Sequence, residues 1–418
     1  MASQPYLDPM NQGFADLAAT LPLDELSPEE LRESLGKLNE HEKLPGVDRN
    51  MIQTPAANGT ETWIYTPKGP KAHSRTSSTS TEAVSCISFY DSIATDLVLR
   101  TGYAVVFPEY KLAPEAAKWP EQQEQCFEVL EWVIQNGTCH NLVPDKFALM
   151  ADSAGGLLIF NMNVMAQQKG LPVPYNVLLG PVASLYYRRQ PPPSRYECWD
   201  GPFLKVALMQ WFVDVYAPTG TVDRASELAS PSANMSDAVA AQFAPTLIVT
   251  SSADVLRDEG KALGERLQRA GRDVAVLRAH GQVHVAAVIN MVRGGPTPKM
   301  VMTLIVAALK QRLGSVARKH LHKATLAMPS ESFTMATSIS SVCGLPMRGA
   351  YAAAGSAQDA AFVRVRWKQA RFAPRAEASV SPDRKVRAQK GPAAVGRGPI
   401  PVPPAYRRSP YTILRQRR

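Results

Sequence analysis

From residue 103 to 313, short apolar runs of four or five residues alternate with longer segments in which apolar residues return every three or four positions. The run at 103–107 predicts a buried strand, and those at 147–150, 176–179, 246–250 and 274–277 predict strands. The segments at 122–135, 155–168, 258–270 and 298–313 predict helices. Upstream, 61–66 reads as a strand and 90–100 as a helix, so strand and helix keep alternating. That alternation predicts an α/β chain with a mostly parallel central sheet and helices on both faces.

Three stretches break the rhythm. Residues 22–38 carry Ser27, Pro28 and Glu30, which together predict an N-cap, a proline in the first turn and a capping box, ahead of a stripe of Leu31, Leu35 and Leu38. Such a helix is either a lid over a site or a clip on the back of the domain, and the pattern does not choose. The run 68–82 is dominated by Ser and Thr and is too polar to be expected to hold a fixed structure. Residues 188–229 insert three consecutive prolines, Trp199, Trp211 and a helix-like 203–216 after a strand, at the sheet end where ligands bind. Its aromatic residues either line a pocket or only pack the insertion down.

Charge changes the picture at one end only. Residues 315–418 hold 19 Lys and Arg against four Asp and Glu, whereas residues 1–314 hold 27 against 33, so the net charge of +9 belongs to the tail. Nucleic-acid binding by the body is therefore not expected. The tail sustains no helical or strand period and is expected to be disordered. Five dispersed cysteines, Cys86, Cys126, Cys139, Cys198 and Cys343, have no metal-ligand spacing; with no signal-peptide pattern and no apolar stretch long enough to span a membrane, they point to reduced thiols in the cytoplasm. No metal or organic cofactor is expected. The absence of a Gly-rich phosphate loop in the body leaves kinase and NTPase readings without support.

The candidate chemistry starts at Ala151-Asp-Ser153-Ala-Gly-Gly156, between a predicted strand and a predicted helix. A tight turn of small residues there lifts a hydroxyl clear of the sheet. A serine needs a base, and the base needs a carboxylate to hold its tautomer, with acid and base on loops after later strands in the order Ser, Asp, His. Asp254 follows the 246–250 strand, while Asp258 is placed to cap the next helix. His280 and His284 both follow the 274–277 strand. His280 belongs to the strand end, whereas His284 lies beyond Gly281 at a helix start with more reach, so His284 is favoured. Ser153, Asp254 and His284 thus form the candidate constellation.

The stretches Glu109-Tyr-Lys-Leu-Ala-Pro-Glu115, Asp152-Ser-Ala-Gly-Gly156, Ala253-Asp-Val-Leu-Arg-Asp-Glu-Gly260 and the Gly281 to His284 loop together resemble the hormone-sensitive-lipase-like branch of the α/β-hydrolases, over roughly residues 5–314. The resemblance implies an α/β-hydrolase fold with a helical cap and a serine esterase acting through an acyl-enzyme on a small or medium ester. It makes Ser153 the nucleophile, Asp254 the orienting acid and His284 the general base, and puts Glu115 in a structural motif nearby. It also divides the chain into a cap segment at 1–50, a hydrolase domain at 51–314 with a cap insertion at about 188–229, and the basic tail at 315–418. Two departures stand out. Ala151 replaces the first glycine of the serine turn. The family's His-Gly-Gly-Gly motif is missing, because no glycine occurs from Pro70 to Arg100 and the region 68–89 is degenerate. The N–H of Ala154 is then the one identifiable oxyanion donor. The rival expectation is a non-catalytic ligand-binding or interaction protein on the same scaffold.

Overall fold

The computed structural model describes residues 5–23, 25–40, 43–54, 59–69, 74–80, 87–114, 118–186 and 191–314, with the main chain alone at 74–80 and at residues 38, 87 and 88. The basic tail, Glu115 and residues 81–86 lie outside the described residues.

In chain order the elements begin with α1 (Pro9–Ala18), α2 (Pro28–Leu38), β1 (Val47–Gln53), β2 (Glu61–Pro67), β3 (Ser74–Ser80), α3 (Ile87–Thr101) and β4 (Ala104–Glu109). Next come α4 (Glu121–Asn136), β5 (Leu142–Asp152), α5 (Gly155–Lys169) and β6 (Asn176–Leu179). The insertion and C-terminal part supply α6 (Pro193–Glu197), α7 (Val206–Tyr216), α8 (Pro231–Asn234), α9 (Asp237–Gln242) and β7 (Thr246–Ala253). They close with α10 (Arg257–Arg269), β8 (Val274–Val283), α11 (Asn290–Arg293) and α12 (Pro296–Leu313). Among the described residues the strands form one sheet of eight in the order β1-β2-β4-β3-β5-β6-β7-β8. The pairs β1–β2 and β2–β4 are antiparallel, and all later pairs are parallel.

Adjacent strand residues face opposite layers, as the pleat requires. Ile64 and Val106 pack with Val129 and Val133 of α4, while the next residues turn the other way: Tyr65 reaches Asp91 of α3 at 3.0 Å and Phe107 lies near Tyr90. Helices α3 and α12 touch each other, as do α4 and α5. Strands buried on both faces explain why the sequence showed continuous apolar runs rather than alternation. Helix α5 is buried almost all round, and its polar residues are satisfied internally. Asn161 donates to the Leu157 and Leu228 carbonyls, and Asn163 pairs with Asn176.

One expectation fails outright. Residues 74–80, read as too polar for fixed structure, form β3 in the middle of the sheet, with Ser77 opposite both Val105 and Ala148. A strand between two others has its N–H and C=O groups paired on both sides, and that ladder is independent of side-chain hydrophobicity. Apolar pattern is silent about such a ladder, and the strand therefore leaves no mark in it. The ladder is irregular where Arg75 faces Val143 but Thr76 faces Phe147, which loops out Pro144, Asp145 and Lys146 and accommodates the proline within β5.

The capping box of α2 forms as expected: Glu30 N–H donates to Ser27 Oγ, Ser27 N–H donates to Glu30 Oε2, and Leu31 and Leu35 are buried. Helix α1 and strand β1 were not anticipated. The first is short, with an Asp8 cap and proline in its first turn. The second runs across residue 50, so the sheet begins at Val47.

The insertion is held from two sides. Tyr216 donates to Gln123 Oε1 at 2.8 Å and meets Trp119 edge-on, and Phe203 meets Phe14 of α1 edge-on with ring centroids 5.0 Å apart. Among the described residues, no helix is long and apolar enough to cross a membrane.

Candidate active site

Strand β5 ends at Asp152 and helix α5 begins at Gly155, so the chain reverses within two residues. Ser153 occupies the turn with φ of 49°, a left-handed conformation unusual for a residue with a side chain. Such a residue costs on the order of 1–3 kcal/mol and persists only when its surroundings over-determine it. Here they do. Ser153 N–H donates to the Leu179 carbonyl at 2.9 Å, and the Ser153 carbonyl accepts from Gly156 N–H at 3.0 Å and Val182 N–H at 2.8 Å. Gly156 is required for close approach, because a Cβ there would lie 2.3 Å from Pro181 Cβ. Ala151, in place of the expected glycine, sits inside β5 with its methyl buried.

Asp254 is the first residue beyond β7, and its Oδ1 accepts from Leu256 N–H at 2.9 Å. That bond leaves Oδ2 for His284 Nδ1, 2.8 Å away, and His284 Nε2 lies 2.9 Å from Ser153 Oγ. A carboxylate only accepts, so Nδ1 carries the proton and Nε2 is left to accept from the hydroxyl. Ser153, Asp254 and His284 are 6 %, 1 % and 2 % exposed, which excludes water from these bonds and strengthens them. The three predicted residues are therefore brought together, 131 and 30 positions apart in sequence. Ala154 follows Ser153 as the cap of α5, so its N–H is the first main-chain donor beyond the hydroxyl, at the positive end of a helix.

Two local expectations are corrected. Asp258 does not cap the following helix: α10 starts at Arg257 with Leu256 in the cap position, so Asp258 already lies within the first turn. Its carboxylate instead receives Arg257 at 2.8 and 2.9 Å and Ser194 N–H at 2.9 Å. Burial pushes its pKa up, but the hydrogen bonds and charge of Arg257, with the Ser194 N–H and Arg278, together hold the carboxyl below its ordinary value. His284 does not open a helix. Strand β8 continues past Gly281 to Val283, and His284 lies in the turn that follows. His280 is an exposed strand residue stacked on Tyr6, with ring centroids 5.2 Å apart.

The sequence reading missed Gly180. Its φ is +49°, and a Cβ there would stand 3.1 Å from Asp254 Oδ2 and 3.3 Å from His284 Nδ1 and Cε1. The signal was the Gly-Pro pair closing a strand, which marks a turn. Tyr90, on α3, donates to Asp152 Oδ2 at 3.2 Å beside the serine turn. Cys198 is buried in the insertion close enough to feel Asp254. Burial first, then that charge, pushes its thiol up to about 12, so it stays protonated and is no rival nucleophile. Among the described residues, no group of three or more His, Cys, Asp or Glu could hold a metal ion.

The chain order Ser, Asp, His on a mostly parallel sheet, with the serine at the strand-to-helix turn after β5, makes this molecule an α/β hydrolase. Comparison with known proteins agrees. A family model described as alpha/beta hydrolase fold matches residues 83–288. An esterase of Fusarium pseudograminearum is 31 % identical over 327 residues, covering 73 % of this chain and 95 % of that protein. An esterase of Gibberella moniliformis is 41 % identical over 219 residues, covering 52 % and 67 %. The crystal structure of a thermostable esterase from Pseudomonas putida ECU1011 superposes with a TM-score of 0.69 at 25 % identity, covering 74 % of this chain and 99 % of that one. The chain belongs to the alpha/beta hydrolase fold-3 family of carboxylesterases. A second model, described as KR domain, matches residues 310–373, nearly all outside the described residues.

Proposed function

We propose that the protein is a serine carboxylesterase that hydrolyses small or medium esters through an acyl-enzyme. The observation that carries the reading is the continuous chain of short contacts from Asp254 through His284 to a serine held at positive φ. His284 Nε2 takes the Ser153 proton as Oγ bonds to the ester carbonyl carbon. The imidazolium, stabilised by Asp254, then returns that proton to the departing alkoxide, and the C–O bond of the ester breaks. Water enters, gives its proton to Nε2 and attacks the acyl carbon; the carboxylic acid leaves as Oγ is reprotonated. Only protein groups are needed.

Charge on the tetrahedral oxygen needs main-chain donors, of which Ala154 N–H is one. Each missing donor costs roughly 10²–10³ in turnover. Without the His-Gly-Gly-Gly motif, turnover is therefore expected to be lower than in an esterase that has it.

The test is p-nitrophenyl butyrate hydrolysis together with labelling by a fluorophosphonate probe. The reading expects both in the wild type, loss of both in Ser153→Ala, and a fall on the order of 10⁴ in kcat for Asp254→Asn, where the amide pins His284 in the wrong tautomer. A folded wild type that neither turns over nor labels would instead make the scaffold a non-catalytic binder.

A further inference from the structure

Strand β8 reaches His284 through a bulge. Ala279 faces Ser251 and Val283 faces Ala253, so four steps on β8 span two on β7. The surplus residues must find partners elsewhere for their main-chain groups, since unpaired buried N–H and C=O groups are costly.

Gly281 N–H donates to Ser252 Oγ at 2.8 Å. Gln282 Nε2 donates to the His280 carbonyl at 3.1 Å, and the other contacts come from the N-terminal segment. Asp8 N–H donates to the Gly281 carbonyl at 3.0 Å, and Val283 N–H donates to Asn11 Oδ1 at 2.9 Å. Asn11 Nδ2 donates both to Gln282 Oε1 and to Asp8 Oδ1 at 3.0 Å, while Gln282 Nε2 donates to Asp8 Oδ2 at 2.7 Å. Asn11 is 0 % and Gln282 1 % exposed. Gly281 has φ of +70°, and a Cβ there would crowd Asp8 N and the Tyr6 ring.

We infer that Asp8, Asn11 and Gln282 form a clasp by which the N-terminal helix sets the position of His284, making Asn11 and Gln282 positioning residues for the general base. The inference rests on the esterase reading for its kinetic consequence but not for its geometry. The residue held by Asn11 is the one immediately before His284, so any slack in the bulge passes directly to the imidazole. Misplacing a catalytic group by about 1 Å costs on the order of 10²-fold in rate. The clasp does not touch the serine turn, so substrate affinity should be spared.

The test compares Asn11→Ala and the nearly isosteric Gln282→Met with Gln12→Ala, whose amide bonds only the exposed Asp16 on the same helix. The full chain is used, and kcat is normalised to active sites titrated by the p-nitrophenol burst. The first two variants should lose roughly 10- to 100-fold in kcat with KM within about twofold, and Gln12→Ala should match the wild type. In parallel, the low-field His284 Nδ1–H proton resonance is followed in a Ser153→Ala background, where turnover plays no part. It should broaden or vanish in the clasp variants. If the wild type hydrolyses nothing, the esterase reading fails, and the resonance alone decides the clasp. Folded clasp variants with wild-type kcat and an unchanged resonance would overturn the inference, as would two variants that simply fail to fold.

Discussion

Replacing Gly180 by alanine is a one-methyl perturbation aimed at the back of the Asp254–His284 pair. Two costs can be separated. The first is conformational: Gly180 has φ of +49°, where an L-residue costs roughly 1–2 kcal/mol. A domain with a stability of about 5–15 kcal/mol absorbs that and stays folded. The second is local. The new Cβ would stand 3.1 Å from Asp254 Oδ2 and 3.3 Å from the His284 ring, closer than ordinary van der Waals contact, so the pair must retreat by a few tenths of an ångström. Asp254 is tethered by Leu256 N–H at 2.9 Å, so the imidazole takes most of the movement. Its far nitrogen then shifts against a Ser153 Oγ that the turn holds rigidly at 2.9 Å. A rate loss of roughly 10- to 100-fold follows, about 1.4–2.7 kcal/mol of barrier. The methyl meets Asp254 Oδ2 and the Cε1 and Nδ1 atoms of His284, so the loss is expected in kcat rather than in KM. Steady-state hydrolysis of p-nitrophenyl butyrate per titrated site, with a thermal melt on the same samples, reads both costs. A Gly180→Ala protein with wild-type kcat per active site and a lowered melting point would refute the wedge argument.

Other expectations follow from single contacts. Gly156→Ala brings a Cβ to 2.3 Å from Pro181 Cβ and 2.8 Å from its main chain, so soluble expression should collapse; a well-folded variant with normal labelling would contradict the packing described. Ser77→Pro removes a ladder N–H from β3 between two paired strands, so it should lower the melting point and soluble yield sharply, whereas a proline tolerated there would rule out a central strand at 74–80. Asp258 faces Arg257, Arg278 and the Ser194 N–H, and its folded pKa is lowered. Its contribution to stability is complete above about pH 4, the ordinary carboxylate value, and is lost as pH falls through the lower folded value. The urea midpoint of the wild type should therefore drop more steeply below pH 4 than that of Asp258→Asn, and parallel slopes would remove the assignment.

The body of the sheet was legible because β4, β5, β6 and β7 are buried on both faces and so appear as apolar runs. The Ser and Asp positions were legible because each lies directly beyond such a strand, and His284 because it follows β8 in the chain order that a serine, acid and base require. What escaped notice was stabilised by something other than a period of apolar side chains. Strand β3 is held by main-chain pairing on both sides. Helix α1 spans 10 residues, fewer than a periodic pattern needs to declare itself, and it is secured by polar contacts to residues about 270 positions away. The extension of β8 to Val283 is a bulge, and a bulge is specified by its partners across space. Asp258 was misplaced as a cap because helix ends read from sequence slip by a residue, and one residue moves a carboxylate from the cap into the first turn.

The rediscovered strand also changes what the missing glycines mean. If residues 74–80 had no place in the sheet, the oxyanion side of the site would lack its support as well as its motif. Instead Ser80 pairs with Ala151, two residues before Ser153, so the carboxyl end of β3 runs alongside the serine turn. The strand beside the serine turn is therefore present, and what the sequence lacks is the family's glycine-rich loop motif. A glycine contributes conformational freedom and close approach to such a loop, whereas the donor itself is a main-chain N–H that every residue but proline carries. On the proposed mechanism, the missing glycines are therefore expected to lower transition-state stabilisation, on the order of 10²–10³ for each donor misaligned, while the Asp254–His284–Ser153 contacts stay as they are.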